Sequence, residues 1–366
     1  MESDPRTPVD PLCAASPKLV EFLVSLGATR EQIAEAEAHS GLVGLGADLV
    51  FAADEGFTAA DLAARAGTST HAVLGIWRAL GVEVPGRDTP MFSSADVSLV
   101  QSLAAVDLYT DDQGDELLHV IGSALSRIAD AAIAFYVQTV EVGLAEGGAD
   151  TLELAQKSSM AAMKALELGA GLGAVFVHLM RDGVDRQRRA QEHVSDRALY
   201  RVAVGFVDLV GFTPLSHRMA TRELSAFIGQ FETRAFRLAS DHGGRIIKHI
   251  GDEVMFVAID PVAGCRLALA LMTEFFDDGI QPRGGLAFGD VVARQGDYFG
   301  EVVNLASRLA DLAIPGEVLA DENVRTAAAD SGLVFEGAGR RQLKGFEEPV
   351  LVFSLQGAPA ARRPVG

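Results

Sequence analysis

The periodicity of this chain changes abruptly near residue 197, and that change limits what the chain can fold into. Before it, LVEFLVSLG, DLAARAG, HAVLGIWRALGV, LLHVIGSALSRIADAAIAFYVQTVEVGL and LELAQKSSMAAMKALELG repeat apolar residues every three and four positions, with Gly and Pro as punctuation. That is the period of helices packed by one face. No alternating strand pattern stands out there. After it, RVAVGFVDL is an apolar run typical of a buried strand, and TRELSAFIGQFETRAFRLASDHGG reads as a helix closed by Gly-Gly. RIIKHIGDEVMFVAI reads as two short strands around Gly251-Asp252, a hairpin. CRLALALMTEFF and EVVNLASRLADLA read as helices, RGGLAFGDVVA as a strand or strand pair, and VLVFSLQ as a final strand. The pattern predicts an all-α N-terminal domain followed by an α/β domain on a mixed sheet.

The boundaries follow from composition. Residues 1–17 carry four prolines and read as a flexible tail. Residues 18–180 form the helical domain, and 181–197 (RDGVDRQRRAQEHVSDR) a charged linker or switch helix. Residues 198–357 form the α/β domain and 358–366 a C-terminal tail. The formal charge over 366 residues is −19, unevenly spread. Residues 1–197 hold 14 basic and 29 acidic side chains, and 198–366 hold 17 and 21. The acidity counts against a nucleic-acid or anionic-membrane surface, which needs a basic footprint. Cys13 and Cys265 are the only cysteines, too few for a disulfide scaffold and suited to a reducing compartment. The acidic, proline-bearing start is not a secretory signal. The most apolar stretch, Leu168 to Met180, is interrupted by glycines and His178 and falls short of the roughly 20 residues a spanning helix needs. A buried core helix is the expectation for it. A helix dimer interface or the wall of a lipid pocket are the alternatives. A cytoplasmic protein with no transmembrane segment is expected.

Three places carry chemistry. Asp208, in FVDLVGFTPLS, ends a strand before Gly211 and a turn of free amides. Taken alone it reads as a residue capping that turn. Asp252 sits in the hairpin turn of KHIGDEVMF, ordinary turn chemistry by itself. Two such aspartates on neighbouring strand ends would make hard oxygen donors for Mg²⁺ or Mn²⁺. In GDYFGEVVNLASRLAD, Asn304 and Arg308 stand at i and i+4 on one helix face, with Asp297 seven residues before Asn304.

Together these segments resemble the catalytic domain of class III nucleotidyl cyclases, whose pattern is a strand-end Asp before x-x-G-F, then K-x-x-G-D, then D-x(6)-N-x(3)-R. Here those positions are Asp208 with Gly211-Phe212, Lys248 with Gly251-Asp252, and Asp297, Asn304 and Arg308. The match runs from about Tyr200 to Leu355. The resemblance implies a ferredoxin-like α/β fold and a pair of Mg²⁺ or Mn²⁺ ions on Asp208 and Asp252, with the Leu209 carbonyl as an extra ligand. It also implies phosphate-cradling amides at Gly211, Phe212 and Thr213, a ribose-orienting Asn304 and a charge-stabilising Arg308. Lys344, in LKGFEEP, resembles the family's late lysine that meets the triphosphate tail. A lysine donor and an aspartate acceptor, Lys248 and Asp297, complement the adenine edge, so the implied substrate is ATP and the products are 3′,5′-cyclic AMP and pyrophosphate. All six principal positions lie on one chain, which in this family implies two equivalent sites shared across a homodimer. A guanylate cyclase would carry Glu and a small residue instead. HIGDEVMF also resembles the GG[D/E]EF turn of diguanylate cyclases, but Ile250 and Val254 depart from it and Lys248, Asn304 and Arg308 have no place there.

The helical half supports two expectations. FTAADLAARAGTSTHAVLGIWRALGV resembles a helix-turn-helix, with Thr58 as a cap and Gly67 in the turn. Its second helix offers Ser69, Thr70, His71 and Arg78 and little else to DNA, so a DNA-binding or interaction module without catalysis is the minor alternative. The all-helical half, charged connector and C-terminal cyclase domain together resemble soluble actinobacterial cyclases with an autoinhibitory, pH-sensing N-terminal domain. His178 and His193, in or beside the connector, are the candidate sensors. A small molecule or lipid is the candidate ligand of the helical domain, which would also take part in the homodimer.

Overall fold

The computed structural model describes residues 16–39, 41–52, 56–104, 112–142, 148–191, 199–275 and 280–356. The chain divides into two compact units, Met1–His178 and Leu179–Gly366.

The first unit is helical, as the periodicity predicts: α1 (Pro17–Ser25), α2 (Arg30–Ala38), α3 (Leu42–Phe51), α4 (Ala59–Ala66), α5 (Thr70–Ala79), α6 (Ser94–Ala104), α7 (Asp112–Tyr136, followed by a π-turn at Val137–Glu141) and α8 (Thr151–Gln191). Local chemistry sets the starts. The Ser16 hydroxyl accepts from Leu19 N–H before Pro17, and Thr58 and Asp61 form a reciprocal capping box ahead of α4. Gly67 ends α4 in the left-handed conformation, so α4 and α5 form the expected helix-turn-helix. Its core is Phe57, Leu62, Val73, Ile76, Trp77, Phe92, Val100 and Leu118, with Trp77 edge-on to Phe92 and an isolated β-bridge joining Phe57 to Phe92. A second core gathers Leu19, Leu23, Ile33, Leu42, Leu45 and Ala155.

Two expectations for this half are corrected. The stretch Leu168–Met180 is not a buried core helix: Leu168, Val175, Phe176, Val177, Leu179 and Met180 are all exposed. Nor do its glycines interrupt it. Ala, Leu and Met around them are strong helix formers, and the stretch lies inside the 41-residue α8, which also takes up Arg181–Gln191 of the supposed linker. The rest of that linker, with His193, lies outside the described residues, as does Cys13. The shortness of the apolar stretch therefore excludes nothing. Gly114–Thr139 and Thr151–Gln191 are both long and apolar enough to cross a membrane by length and composition. His178 is exposed on α8.

The second unit runs β1 (Leu199–Val210), α9 (Phe212–Ser216), α10 (Thr221–Asp241), β2 (Gly244–Ile250), β3 (Glu253–Ala258), α11 (Pro261–Glu274), β4 (Gln281–Arg294), β5 (Asp297–Phe299), α12 (Glu301–Leu312), β6 (Val318–Asp321), α13 (Glu322–Ala327), β7 (Val334–Arg341) and β8 (Val350–Gln356). The sheet order is β2-β3-β1-β4-β6-β8-β7, with β5 paired to the far end of β4. Among the described residues only β4 and β6 pair in parallel. The first four strands with α10 and α11 reproduce the ferredoxin-like split βαβ. β1 is central and hydrophobic on both faces. Val207 and Leu209 meet α10, α11 and α13 through Phe231, Leu267, Leu271 and Val324. Val202, Val204 and Phe206 meet the opposite face, with Ala306 and Ala310 of α12. α12 lies so close to β4 that a Cβ at Gly285 would sit 2.2 Å from both Ala306 O and Ala310 N. Glycine is what allows that approach, and it sets the height of the helix carrying Asn304 and Arg308. Cys265 is buried in the α11 core, and burial pushes its thiol up to about 12.

Candidate active site

The first group of polar residues gathers where β1 ends. Asp208 stands third from the strand's end, paired with Glu253 of β3 on one side and Arg283 of β4 on the other. Arg283 donates from Nε to Asp208 Oδ2 at 2.9 Å and from Nη1 to the Asp311 carbonyl at 2.8 Å. Asp252 follows Gly251 in the β2–β3 turn. Burial raises its carboxyl above the usual range and the Asp208 charge adds to that, while a bond to its own backbone N–H opposes it. Glu253 is pushed up to about 7, by burial first and then by the charges of Asp208 and Asp311, with Arg283 opposing. Asp208, Asp252 and Glu253 thus share one neighbourhood with the Arg283 guanidinium, while Asp311, beside them, is paired with Arg308. A divalent cation fits that chemistry, since every donor is a hard oxygen.

Leu209 belongs to the same group. Gly284 N–H donates to the Glu317 carbonyl beside β6, so the polar groups of Arg283 and its partner Asp208 face each other across the β1–β4 pair. By alternation the Leu209 carbonyl faces the other way, past the last β1–β3 pair at Asp208–Glu253. Among the described residues no group of three or more His, Cys, Asp or Glu side chains is placed to hold a metal ion. Asp208, Asp252 and the Leu209 carbonyl make an incomplete set that a ligand's own oxygens could finish. Gly211, at φ +96°, turns the chain into the short α9, and Phe212 is buried and stacked on Phe227 at 5.2 Å. Thr213 contributes its backbone to α9; its side chain lies outside the described residues.

The second group lies on the α12 face. Lys248 Nζ donates to Asp297 Oδ2, and Tyr298 N–H donates to Asp297 Oδ1 at 2.8 Å. The donor–acceptor pair expected from the sequence is therefore assembled within one chain. Asn304, Arg308 and Lys344 line one cavity of about 940 Å³ together with Gly300, Glu301 and Phe346. That brings Lys344 into one cavity with the two helix residues. Arg308 donates from Nη1 to Asp311 Oδ2 at 2.9 Å. Among the described residues, no hydrogen bond or ion pair joins Asp208 or Asp252 to Lys248, Asp297, Asn304 or Arg308.

Arg283, Glu253 and Asp311 escaped the sequence reasoning. Arg283 begins RGGLAFGD, a segment that reads only as a strand, and its place opposite Asp208 is a matter of register. The environment of His249 is likewise silent in the sequence. Both its ring nitrogens are buried with no partner among the described residues, its ring is edge-on to Phe231 at 5.5 Å, and burial holds it below the usual histidine value against the pull of Glu232.

Comparison with known proteins agrees with this arrangement. Residues 194–357 match the model of the adenylate and guanylate cyclase catalytic domain. An uncharacterized protein of Mycobacterium tuberculosis is 32% identical over 355 residues, covering 94% of this chain and 91% of the relative. An adenylate cyclase of Streptomyces coelicolor is 33% identical over 332 residues, covering 87% and 84%. A pH-sensitive adenylate cyclase of M. tuberculosis is 29% identical over 361 residues, covering 93% and 87%. With the strand-end aspartates, the Lys–Asp pair and the Asn–Arg helix on one ferredoxin-like sheet, and with relatives matched along nearly their whole length, the chain belongs to the class III nucleotidyl cyclases.

Proposed function

We propose that this protein is an adenylate cyclase, converting ATP to 3′,5′-cyclic AMP and pyrophosphate at a site shared between two copies of the chain. The observation that carries the choice of base is the Lys248–Asp297 pair. Adenine presents an acceptor at N1 and a donor at its 6-amino group, and a lysine and an aspartate side by side match both. Guanine presents the reverse polarity there, and would leave both groups of the pair unmatched once the base covers them.

Asp208, Asp252 and the Leu209 carbonyl would hold two Mg²⁺ or Mn²⁺ ions. When bound, such ions lower the pKa of the ribose 3′-hydroxyl and neutralise the triphosphate. Arg283, beside Asp208, would offer a phosphate oxygen a further donor. The amides of Gly211, Phe212 and Thr213 would take others. Asn304 orients the ribose, so that the 3′-oxygen faces the α-phosphorus. Arg308 stabilises the negative charge that builds on the attacked phosphate, and Lys344 meets the β- and γ-phosphates.

Asp208 and Asp252 form one group, and Asn304, Arg308 and Lys344 another. Two chains arranged head to tail would give two equivalent composite sites. Such an assembly works on intracellular ATP, which places the catalytic unit on the cytoplasmic side. The helical unit acts as the regulator and as part of the dimer contact, holding the catalytic units out of register in the resting state. The likeness to a pH-sensitive relative supports regulation by proton concentration. A cavity of about 620 Å³ among α3, α7 and α8, lined by Phe51, Ile128, Tyr136, Ser158 and Leu166, is a site for an apolar ligand of that unit.

The test is a cyclase assay with ATP and with GTP, in Mg²⁺ and in Mn²⁺, across pH, on the full chain. Cyclic AMP from ATP and little product from GTP is expected; preference for GTP, or no product in either metal, overturns the proposal. Asp208→Ala and Arg308→Ala should each lower activity by on the order of 100-fold or more, and mixing the two should restore part of it. No recovery on mixing sinks the shared site. Removing residues 1–197 should raise activity and flatten its pH profile.

A further inference from the structure

We propose that Arg245 and Tyr298 form a clamp behind the purine-reading pair, and that this clamp sets the preference for ATP over GTP by fixing the direction of Asp297. The inference rests on the adenylate cyclase proposal and deepens it.

The argument starts from how weakly Asp297 is anchored. It opens β5, a strand of three residues that pairs only with the far end of β4, through Val292–Phe299, Ala293–Tyr298 and Arg294–Asp297. A strand that short, held along one edge, does not fix a carboxylate firmly. Two further ties run from β5 to β2, which is not its neighbour in the sheet. One is Lys248 to Asp297 itself. The other is Arg245 Nη2, which donates to the Tyr298 hydroxyl at 3.2 Å, its guanidinium 5.8 Å from the Tyr298 ring centre. The ring also meets Tyr200 of β1, edge-on at 6.5 Å. Because Tyr298 N–H donates to Asp297 Oδ1, whatever holds the tyrosine also aims the carboxylate.

A bulge in β2 makes both ties possible. The β2–β3 register runs from Ile246–Phe256 directly to Lys248–Met255, leaving Ile247 as an extra residue. In a regular strand positions 245 and 248 would point to opposite faces; one inserted residue puts both on the β5 side. Bulges commonly re-aim side chains near functional sites.

Packing does not account for the arginine. Arg245 Nε is buried with no partner among the described residues, an arrangement that costs stability and that an apolar residue would avoid. The guanidinium therefore acts through Tyr298 as a positioning group. With the clamp gone, Lys248 and Asp297 can swing apart, and a pair free to move no longer excludes the reversed polarity of guanine.

The experiment uses the full chain carrying Tyr298→Phe, Arg245→Met or Arg245→Lys, each checked by thermal melting. Cyclase kcat and KM are measured for ATP and GTP, and binding of 3′-deoxy-ATP and 3′-deoxy-GTP, which cannot cyclise, by calorimetry. Tyr298→Phe and Arg245→Met should raise KM for ATP roughly 5- to 10-fold, the loss of about one hydrogen bond, with kcat within about 2-fold. The ATP-to-GTP ratio of kcat/KM should fall by a similar factor, and Arg245→Lys should recover part of it. A folded Tyr298→Phe protein with unchanged KM and purine ratio, or with kcat alone reduced, overturns the clamp. If the unmodified chain makes no cyclic nucleotide, the adenylate cyclase proposal fails and binding decides the clamp. Preference for 3′-deoxy-ATP that Tyr298→Phe erases supports it, and equal binding of both nucleotides by the unmodified chain overturns it.

Discussion

The catalytic unit and the long helices α7 and α8 use their apolar residues in opposite ways. In the catalytic unit the apolar residues of β1, Val202 to Val207, are almost all buried, because a central strand has a neighbour on each edge and a helix layer on each face. In α7 and α8 the side chains of Leu125, Ile128, Ile133, Phe135, Met160, Met163, Phe176 and Met180 stand exposed. Helical periodicity reports that a face is apolar. It says nothing of whether the same chain supplies the cover.

The difference can be broken by mutation. Leu286→Ala empties a fully buried position of β4 and should cost about 2–5 kcal/mol in thermal unfolding. A cost under about 1 kcal/mol would mean that the sheet core is looser than its burial implies. Gly285→Ala should cost about 1–3 kcal/mol and also lower cyclase activity, because the methyl group drives α12, with Asn304 and Arg308, off the sheet. Stability lost with activity fully kept would separate the helix position from the chemistry. His249→Phe probes a smaller term. Burial keeps the folded pKa of His249 below the unfolded value of about 6.5. The unfolded chain therefore binds the proton first, and the stability this histidine contributes is present above that pH and lost as pH falls through it. The phenylalanine variant should melt with a flatter dependence on pH as pH falls below about 6.5; an unchanged slope assigns the dependence to other groups. Phe176→Ser should shift the melting of dilute protein by less than about 0.5 kcal/mol, since the ring is exposed. If α8 meets a second copy, the same variant should remove any rise of Tm with protein concentration. A dilute-protein cost as large as that of Leu286→Ala would show that the face is covered within one chain.

Much of the molecule was legible in the sequence where one residue type at one spacing has one physical meaning. The helix caps at Ser16 and Thr58, the hairpin at Gly251-Asp252, and the i, i+4 placement of Asn304 and Arg308 are of that kind. Short or exposed elements were not legible. β6 has four residues, too few to show a period, and β7 is an exposed edge strand whose glycines and arginines mask any alternation. The sequence reads α8 as separate pieces because glycines often mark breaks, although Gly169, Gly171 and Gly173 merely leave the helix surface open.

By itself, the sequence determined the two textures, the identity of the candidate site residues and the polarity of the Lys248–Asp297 pair, since these depend on residue type and local spacing. Only the tertiary structure decided which of those side chains meet. The extra residue Ile247 turns Lys248 toward Asp297, β4 register sets Arg283 against Asp208, and the closeness of α12 at Gly285 fixes Arg308. Strand parity reverses with a single inserted residue, and that residue's place depends on the partner strand, which local sequence does not specify.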